Sequence, residues 1–378
     1  MDLSYNDEQR LLKDSVDKFL QQEYDFESRR RIAQGDEGFD KNHWRTFAEL
    51  GWLAIPFTEE QGGLNGGPVE TMIMMEAFGK ALVLEPWLST VLMSGQLLAS
   101  LAPDEQKTAW LNAIIQGELL CSVAHWEPQR RFDLAPAVTT AKRHGEGYVL
   151  QGQKQFVLQG QTADRFLVSA HLGADSDEAA DTVALFMVDP TLPGVDITAF
   201  RTLENGRASH VDFNQVALDA NALIAKGENA LVALQDMEAQ ATFAVCCEAV
   251  GIMEKLYKTT VEYTKTRKQF GLPIGKFQAL QHRMVNMFIL HEQSSSLMLL
   301  TAIKLQEGGE AARLAVSGFK AWIGQAGRKL GQEAIQIHGG MGMTDELDVG
   351  YYFKRLTAID ALFGNADYHL GVRAKALS

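Results

Sequence analysis

The hydrophobic period of the chain changes twice along its 378 residues. On both sides of a central stretch, apolar residues recur at steps of three and four, which is typical of amphipathic helices. The central stretch differs, because short runs of β-branched and aromatic residues alternate there with Gly, Pro, Asp and Asn turns. These runs are 148–150, 166–170, 183–188 and 210–218. We therefore expect an α+β protein, mostly α-helical, in the order helices, β domain, helices.

The length of the chain predicts separate packed units, since one hydrophobic core rarely serves more than about 250 to 300 residues. The changes of period place an N-terminal helical domain at 1–120, a middle β domain at 121–225 and a C-terminal helical bundle at 226–378. Several short strands within about a hundred residues predict a small antiparallel sheet or barrel. Residues 171–181, rich in Ala, Asp and Gly, are expected to form an exposed loop within it.

Cap residues and apolar spacing divide the first helical region into individual helices. They are predicted at 6–33, 41–50, 69–79, 88–101 and 103–115. Three consecutive arginines, 29–31, lie at the far end of the first helix, where cations suit the helix dipole, and we expect them to be solvated. The Gly-rich segment 61–68 lacks both the preceding apolar strand and the terminal Lys-Ser/Thr of a P-loop, so a structural turn is predicted.

Composition excludes several classes of function. The 48 acidic residues outnumber the 35 basic residues, and the net charge of −13 repels nucleic acid phosphates. Three cysteines, two of them adjacent, do not form the disulfide framework of a secreted protein. No export signal is visible, and no apolar run reaches the ~20 residues that span a bilayer. We expect a cytoplasmic protein that neither binds nucleic acid nor spans a membrane.

Two local clusters could bind an anionic ligand. The first, residues 267–278, lies between two predicted helices and offers the adjacent cations Arg267 and Lys268, an aromatic face and two glycines. The positive pole of the following helix would attract a pyrophosphate; a turn with basic residues at a helix end is the alternative. The second, residues 336–344, closes a helix with glycines, so that backbone amides and Gln336 can approach a ligand, although alone it is a helix C-cap.

The order of domains and these two clusters resemble the acyl-CoA dehydrogenase superfamily over essentially the whole chain. The resemblance implies the fold of that family, with an N-terminal helical domain, a small β-barrel or sheet domain and a C-terminal four-helix bundle. It also implies FAD as the cofactor. The pyrophosphate and adenine end of FAD would contact Arg267, Phe270 and Gln278. The Gln-x-x-Gly-Gly turn would contact the FAD of the dimer mate through Gln336, Gly339, Gly340 and Met341.

A narrower resemblance is to the small subunit of pimeloyl-CoA dehydrogenase and related bacterial two-subunit acyl-CoA dehydrogenases. The segments that carry it are 127–133, 248–251, 280–283 and 363–370. It implies that the chain pairs with a homologous catalytic subunit in an α2β2 complex. The implied substrates are acyl-CoA thioesters of fatty acid or steroid side-chain β-oxidation: dicarboxylyl-CoA or, among related two-subunit enzymes, steroid side-chain thioesters. An electron-transfer flavoprotein is the implied electron acceptor.

The chain departs from the family where the flavin ring would be bound. A Thr-Glu-Pro-Gly-x-Gly-Ser-Asp type of segment is replaced by residues 126–133, Trp-Glu-Pro-Gln-Arg-Arg-Phe-Asp, so that bulky side chains stand in place of glycine. A Trp-Ile-Thr-Asn-Gly segment is replaced by residues 156–160, Phe-Val-Leu-Gln-Gly. The second change removes the hydroxyl that would form a hydrogen bond with the ring.

The glutamate base of the family is missing from both of the positions where the family carries it. At the first position, near the C-terminus, Phe363 is followed by Gly364 instead of glutamate. The second position, early in the first helix of the C-terminal bundle, corresponds to Ala241 and Thr242. None of these residues can take the α-proton of a thioester. Nearby acids that could serve as a displaced base are Glu238, Glu248, Asp360 and Asp367.

The motifs that hold the ADP half of FAD are retained, whereas the ring-binding and base motifs are lost. We therefore expect a subunit of an FAD-dependent acyl-CoA dehydrogenase, which forms the 2-enoyl-CoA and in which this chain completes the FAD site of a base-bearing partner. No catalytic residue and no metal ligand is assigned to the chain. The alternatives are a homo-oligomeric dehydrogenase with a displaced base, a flavin monooxygenase or oxidase on the same fold, and a non-catalytic scaffold subunit.

Overall fold

The computed structural model describes residues 4–130, 132, 134, 138–173 and 182–377, apart from the side chain of Glu105. Two compact units are present, each assembled from segments that are distant in sequence. The helical unit comprises Met1–Arg31, Gly67–Val83 and Thr242–Ser378, and the mixed unit comprises Ile32–Gly66 and Leu84–Ala241. The boundaries at residues 120 and 225 stay a prediction.

The α-helices account for most of the described residues. They are α1 Asp7–Glu23, α2 Phe26–Gln34, α3 Lys41–Glu49, α4 Pro68–Ala81, α5 Gln96–Leu101, α6 Asp104–Ile115, α7 Glu228–Thr266, α8 Gln278–Glu307, α9 Gly309–His338, α10 Val349–Ala361 and α11 Ala366–Leu377. A π-helix, Trp87–Gly95, leads directly into α5. Among the described helices, none combines the length and the apolar character needed to cross a membrane.

The strands of the mixed unit form one sheet. They are β1 Cys121–Ala124, β2 Thr140–His144, β3 Gly147–Leu158, β4 Arg165–Leu172, β5 Thr182–Val188, β6 Val195–Arg201, β7 Arg207–Leu218 and β8 Leu223–Lys226. Their order is β6-β7-β3-β2-β4-β5-β8, with β1 paired to β4. The core of the sheet contains fully buried apolar side chains such as Val168, Phe186 and Phe213. Two short strands in the helical unit, β9 Lys268–Gln269 and β10 Leu272–Pro273, form a hairpin.

The sequence had predicted an antiparallel sheet, and this prediction is wrong for two strand pairs. Both β1 and β2 pair with β4 in parallel. Parallel pairing requires a long connection between the strands, and β1 and β4 are separated by β2 and β3 along the chain. The predicted exposed loop at 171–181 is also wrong at its start, because His171 and Leu172 belong to β4. Its residues 174–181 lie outside the described residues.

The predicted helix at 6–33 is two helices, α1 and α2. The break falls at Tyr24 and Asp25. The Ser28 amide donates to the Asp25 carboxylate over 2.7 Å, which is the hydrogen bond of an N-cap. Asp25 therefore starts a new helix in the middle of a continuous apolar pattern.

Arg29 is not solvated, contrary to the prediction for residues 29–31. Its side chain is only 2% exposed, and its guanidinium lies 5.6 Å from the centre of the Tyr351 ring. Its Nε also donates to the Leu82 carbonyl oxygen over 3.4 Å. Arg30 is half-buried and Arg31 exposed, so the prediction holds only at the end of the run.

Close helix packing organises the helical unit. The helix α9 packs against α8, α10 and α11, and α4 packs against α1 and α8. The helices α4 and α7 cross closely at Gly251, where an added Cβ would lie 1.9 Å from the Glu76 carbonyl oxygen. Beside this crossing, Lys80 of α4 forms salt bridges with Glu76 over 2.8 Å and with Glu254 of α7 over 2.7 Å. The close approach at Gly251 and these salt bridges hold α7 against α4 at their crossing.

Candidate functional site

The C-terminus of α7, the N-terminus of α8 and the C-terminus of α9 lie together in the helical unit. The ring of Tyr263 stacks on the ring of His338, with centroids 4.3 Å apart and an interplanar angle of 29°. The Tyr263 hydroxyl also donates to the His338 carbonyl oxygen over 3.4 Å. Tyr263 lies one helical turn before Arg267. His338 directly precedes Gly339, so the two sequence clusters are held side by side.

Two further effects stabilise this arrangement. Arg283 in the first turns of α8 forms an ion pair with Glu333 near the end of α9. Burial lowers the pKa of His338, despite a hydrogen bond with the Ala334 carbonyl oxygen. The stacked imidazole is therefore uncharged at neutral pH, and its contact with Tyr263 is one between two neutral rings.

The first cluster folds as the β9–β10 hairpin. The Ile274 amide donates to the Arg267 carbonyl oxygen over 2.8 Å, which closes the hairpin at its base. Phe270 and Gly271 form the turn, and both have positive φ angles, 53° and 79°. The Phe270 side chain is 91% exposed and meets the Phe277 ring edge-on at 6.2 Å. The hairpin thus presents an aromatic ring to its surroundings.

The residues predicted to bind FAD lie at the surface of this region. Exposed are Arg267, Phe270, Gln278, Gln336, Gly339 and Gly340, whereas Met341 is half-buried. A Cβ atom built at Gly339 or Gly340 would meet no heavy atom within 4 Å, so a ligand can approach both. The Gly339 amide itself is used, since it donates to the carbonyl oxygens of Gln336 and Ile335. The exposed guanidinium of Arg267, the side-chain amides of Gln278 and Gln336 and the ring of Phe270 fit the polar and planar groups of a dinucleotide.

The turn between α10 and α11 occupies the position where the resemblance places the glutamate. Phe363 and Gly364 have φ angles of 55° and 100° there. The Nζ of Lys320, a fully buried side chain, donates to the carbonyl oxygens of Asp360, over 3.0 Å, and Gly364. Burial lowers the pKa of Lys320. Its ammonium binds carbonyl groups that the end of α10 leaves free.

His369 binds the same turn from α11. Its Nε2 lies 2.9 Å from the Phe363 carbonyl oxygen, and its Nδ1 lies 3.1 Å from the Ser317 hydroxyl. Burial, aided by the charge of Lys320, lowers the pKa of His369 to about 4. At neutral pH the ring is therefore uncharged and serves as a hydrogen-bonding group of the turn.

No side chain fits at Gly364 as this turn is built. A Cβ atom there would lie 2.4 Å from Cδ1 of Tyr368 and 2.8 Å from Nε2 of His369. A φ of 100° adds strain for any residue with a side chain. At the second family position, Ala241 and Thr242 are buried and carry no carboxylate. Neither position of the family's base therefore carries a carboxylate in this chain.

Two of the four nearby acids are held in ion pairs. Glu248 accepts two hydrogen bonds from the Arg355 guanidinium, over 2.6 and 2.7 Å. Asp360 accepts from Arg328 and from the Ala366 amide. Such carboxylates have a structural role, because their oxygens are already hydrogen-bonded to a neighbouring guanidinium.

The other two acids have different surroundings. Asp367 is exposed in the first turn of α11, where it complements the helix dipole. Glu238 is half-buried on α7 in the mixed unit. Burial raises its pKa to about 8, although a hydrogen bond from the Trp126 indole acts in the opposite direction. The protonated form of Glu238 is therefore favoured at neutral pH.

The altered segment that begins at Trp126 is anchored by a buried ion pair. Glu127 accepts from the Nζ of Lys154 over 2.8 Å and from the amides of Val138 and Thr139 over 2.8 and 3.0 Å. The Lys154 ammonium also donates to the Ser169 hydroxyl over 3.2 Å. Residues 131 and 133 of the segment lie outside the described residues.

The second altered segment, 156–160, follows an irregularity in β3. The register of β3 with β7 shifts between Lys154 and Val157. Phe156 and Gln159 have positive φ angles of 56° and 53°. Phe156 packs against Phe200 of β6 with ring centroids 5.8 Å apart. The segment therefore has aromatic packing and a strained backbone where other family members carry a hydroxyl.

A cavity of about 480 Å³ lies elsewhere in the mixed unit, between α5 and the first turns of α7. Its lining includes Gln96, Ser100, Asp236 and Gln240. None of the residues predicted to bind FAD lines it, so it does not bear on the predicted cofactor site.

The sequence did not reveal the contacts that hold the two clusters together. Tyr263 and His338 are 75 positions apart, and neither belongs to the residues assigned to FAD. Tyr263 lies one helical turn before Arg267, and only this spacing could have indicated that it supports the first cluster. The roles of Lys320 and His369 were also missed. A lysine within a helix is usually solvated, and nothing in the local sequence indicates that either side chain is buried.

Comparison with known proteins identifies the family of the chain. Family models for the N-terminal, middle and C-terminal domains of acyl-CoA dehydrogenase match residues 6–118, 122–216 and 233–378. The acyl-CoA dehydrogenase FadE12 of Mycobacterium tuberculosis is 30% identical over 316 residues, 81% of this chain and 80% of that protein. FadE27, an acyl-CoA dehydrogenase of the same organism, is 28% identical over 349 residues, 90% of this chain and 89% of that protein.

Similarity extends to solved structures. The crystal structure of the ChsE4-ChsE5 complex from Mycobacterium tuberculosis matches with a TM-score of 0.88 and 26% identity, over 100% of this chain and 99% of that chain. The fold predicted from the resemblance is thereby confirmed. The chain belongs to the acyl-CoA dehydrogenase family.

Proposed function

We propose that the chain is a subunit of an FAD-dependent acyl-CoA dehydrogenase and completes the FAD site of a base-bearing partner. One contrast within the helical unit carries this proposal. The Arg267 and Gln336 clusters are open to a ligand, whereas the turn at Gly364 has no room for a side chain. A chain that keeps a nucleotide-binding surface but lacks a base is suited to a shared site.

The proposed contacts follow from the chemistry of the exposed groups. Arg267 would bind the pyrophosphate, since a guanidinium pairs with phosphate oxygens through two parallel hydrogen bonds. Phe270 would stack on the adenine, and the side chains of Gln278 and Gln336 would hydrogen-bond to the nucleotide. Gly339, Gly340 and Met341 would form the adjoining surface. When bound, FAD supplies the hydride acceptor for oxidation of the Cα–Cβ bond of the thioester.

The proposed partner is a homologous catalytic subunit in an α2β2 assembly. The ChsE4-ChsE5 structure, to which this chain is similar, is a complex of two differently named proteins. The partner would provide the glutamate that this chain lacks and bind the acyl-CoA substrate. An electron-transfer flavoprotein would reoxidise the flavin, and the reaction would take place in the cytoplasm.

Flavin binding by the complex tests this proposal. The chain is co-expressed with the product of its neighbouring gene, and Arg267→Ala is compared with the unchanged protein. Loss of a charged hydrogen bond to phosphate weakens binding by roughly 1.5 to 3 kcal/mol, so we expect FAD affinity to fall about 10- to 100-fold. Lys265→Ala is the matched control, because Lys265 is a nearby exposed cation paired with Glu262.

Two results would contradict the proposal. Unchanged FAD affinity in the Arg267→Ala complex would favour a scaffold subunit that has no contact with the cofactor. A full complement of FAD together with turnover in the purified single chain would favour a homo-oligomeric enzyme.

A further inference from the structure

Trp126 begins the altered segment of the mixed unit, two residues after β1. Its side chain is 8% exposed and meets the edge of the His125 ring, with centroids 5.7 Å apart and an interplanar angle of 77°. The Gln155 amide donates to the Trp126 carbonyl oxygen over 2.8 Å. Gln155 directly precedes Phe156, so the structure places the two altered segments next to each other, with Trp126 at their junction.

Glu238 holds the indole of Trp126 from α7. The indole N–H donates to the Glu238 carboxyl, whose pKa is raised by burial. The titratable groups beside Trp126 are already engaged. Glu127 is paired with Lys154, and Nδ1 of His125 lies 2.7 Å from the Ser169 hydroxyl. The Trp126 indole is thus a hydrogen-bond donor to the Glu238 carboxyl.

This contact is not explained by stability. Burial raises the pKa of Glu238 from 4.5 to about 8. Between these values the unfolded chain has lost the proton that the folded chain retains, so the folded state becomes less stable as the pH rises from 4.5 to 8. An apolar residue at this position would avoid the loss. A carboxyl that accepts a hydrogen bond from the Trp126 indole is suited to holding this ring in one orientation.

We propose that Glu238 positions the Trp126 indole as a plug that fills the space of a flavin ring in this chain. The inference rests on the proposed function, because it explains why the ring of the shared FAD would lie in the partner. An indole is a planar aromatic group that buries about 150 to 250 Å² of surface, comparable to a ligand ring in shape. The bulky residue therefore replaces the ring and does not contact it.

Binding of FMN by the single chain tests the plug. FMN carries the isoalloxazine ring and one phosphate, and it lacks the adenosine that the Arg267 cluster would hold. We expect Trp126→Ala to bind FMN at least tenfold more tightly than the unchanged chain, measured by quenching of flavin fluorescence. Glu238→Ala should gain part of this affinity. Glu238→Gln, which keeps a hydrogen-bond acceptor, and Trp110→Ala, which removes an indole of the same unit, should gain none.

A spectroscopic measurement covers the case in which Trp126→Ala fails to fold. The indole N–H resonance of Trp126 is identified by its absence in Trp126→Phe. We expect this resonance to shift with pH around 8 in the unchanged chain and to stay constant in Glu238→Gln. A pH-independent resonance in the unchanged chain would overturn the contact on which the plug depends.

Two other outcomes would overturn the plug. The first is equal FMN affinity of the unchanged chain and a folded Trp126→Ala variant. The second is a Glu238→Gln complex that retains FAD but loses turnover, since Glu238 would then be the proton acceptor. Neither outcome touches the Arg267→Ala test, because that test concerns the nucleotide half of FAD in the complex. Failure of the plug and failure of the proposed function are thus distinguishable.

Discussion

At the scale of single residues, Glu127 is a carboxylate kept charged inside the mixed unit. Burial alone would raise its pKa. The charge of Lys154, with hydrogen bonds from Lys154, Thr139 and Val138, outweighs burial and lowers the pKa of Glu127 to about 2. The side chains of Glu127 and Lys154 are 1% and 0% exposed. Each charge therefore depends on the other.

Removal of the Glu127 charge should destabilise the protein strongly. Glu127→Gln leaves the Lys154 ammonium buried without its carboxylate, and breaking such a pair costs about 3 to 5 kcal/mol. Urea denaturation at pH 7 measures the loss. Glu146→Gln, an exposed change in the β2–β3 turn, is the control and should change stability by less than about 0.5 kcal/mol.

The same pair predicts a pH dependence with a definite sign. The pKa of Glu127 is lowered on folding, so its contribution to stability is complete above pH 4.5 and is lost as the pH falls towards 2. Glu127→Gln should lack this part of the acid-induced loss. An identical slope of stability against pH in both proteins would show that Glu127 is not the titrating group.

Arg267, Phe270 and Gln336 were assigned to FAD from the resemblance, and each of them is exposed. Their contact with FAD stays a prediction. Sequence reasoning failed where burial depends on distant residues. Arg29 was expected to be solvated, but its guanidinium packs on Tyr351, more than three hundred positions away. No local pattern can indicate such a contact.

At the scale of elements, the β9–β10 hairpin combines two unfavourable features. Phe270 has a left-handed backbone, which costs a residue other than glycine about 1 to 3 kcal/mol, and its ring is 91% exposed. Asparagine is favoured at this turn position. We expect Phe270→Asn to stabilise the single chain by about 1 kcal/mol and to weaken FAD binding by the complex.

Thermal unfolding of the single chain and flavin content of the complex measure these opposite effects. Leu300→Asn is a suitable control, because Leu300 is a 51% exposed apolar residue on α8, away from the hairpin. This variant should leave FAD binding unchanged. A Phe270→Asn complex with normal flavin content would remove Phe270 from the proposed site.

The crossing of α4 and α7 should not tolerate a methyl group. An alanine Cβ at Gly251 would lie 1.9 Å from the Glu76 carbonyl oxygen, so the helices would have to separate. We expect Gly251→Ala to destabilise the chain by at least about 2 kcal/mol, as overpacked sites do. Gly371→Ala on α11 is the matched control, since its Cβ meets nothing within 4 Å. Chemical denaturation measures the free energy of unfolding of both variants. An equal loss of stability in the two would show that the helix crossing is not tight.

Helix positions were largely predictable from apolar spacing. The predicted helices at 41–50, 69–79 and 103–115 correspond to α3, α4 and α6 within two residues at each end. The spacing could not distinguish one helix from two at 6–33, because the cap residue Asp25 interrupts the backbone and not the apolar pattern. The π-helix before α5 was likewise invisible, since its wider turn depends on tertiary packing.

At the scale of the whole molecule, the proposed function requires a second chain. We expect co-expression with the neighbouring gene product to give an α2β2 complex whose native mass contains both chains in equal number. The chain purified alone should retain little FAD, because it would hold only the nucleotide half. Native mass spectrometry and the flavin-to-protein absorbance ratio measure these quantities. A flavin-saturated homo-oligomer would contradict the expectation.

The order of helical, β and helical regions was predictable, but the composition of the units was not. Met1–Arg31 and Gly67–Val83 pack with Thr242–Ser378, whereas the segment between the first two belongs to the mixed unit. Which segments share a core depends on contacts over the length of the chain. Periodicity within a short window carries no information about them.

The turn held by Lys320 and His369 also limits how the chain could regain a catalytic base. Glutamate at position 364 would clash with Tyr368 and His369, and its backbone would be strained. A single substitution there would impair folding before it could supply a carboxylate. A base at this position would therefore require coordinated replacement of Tyr368 and His369 as well.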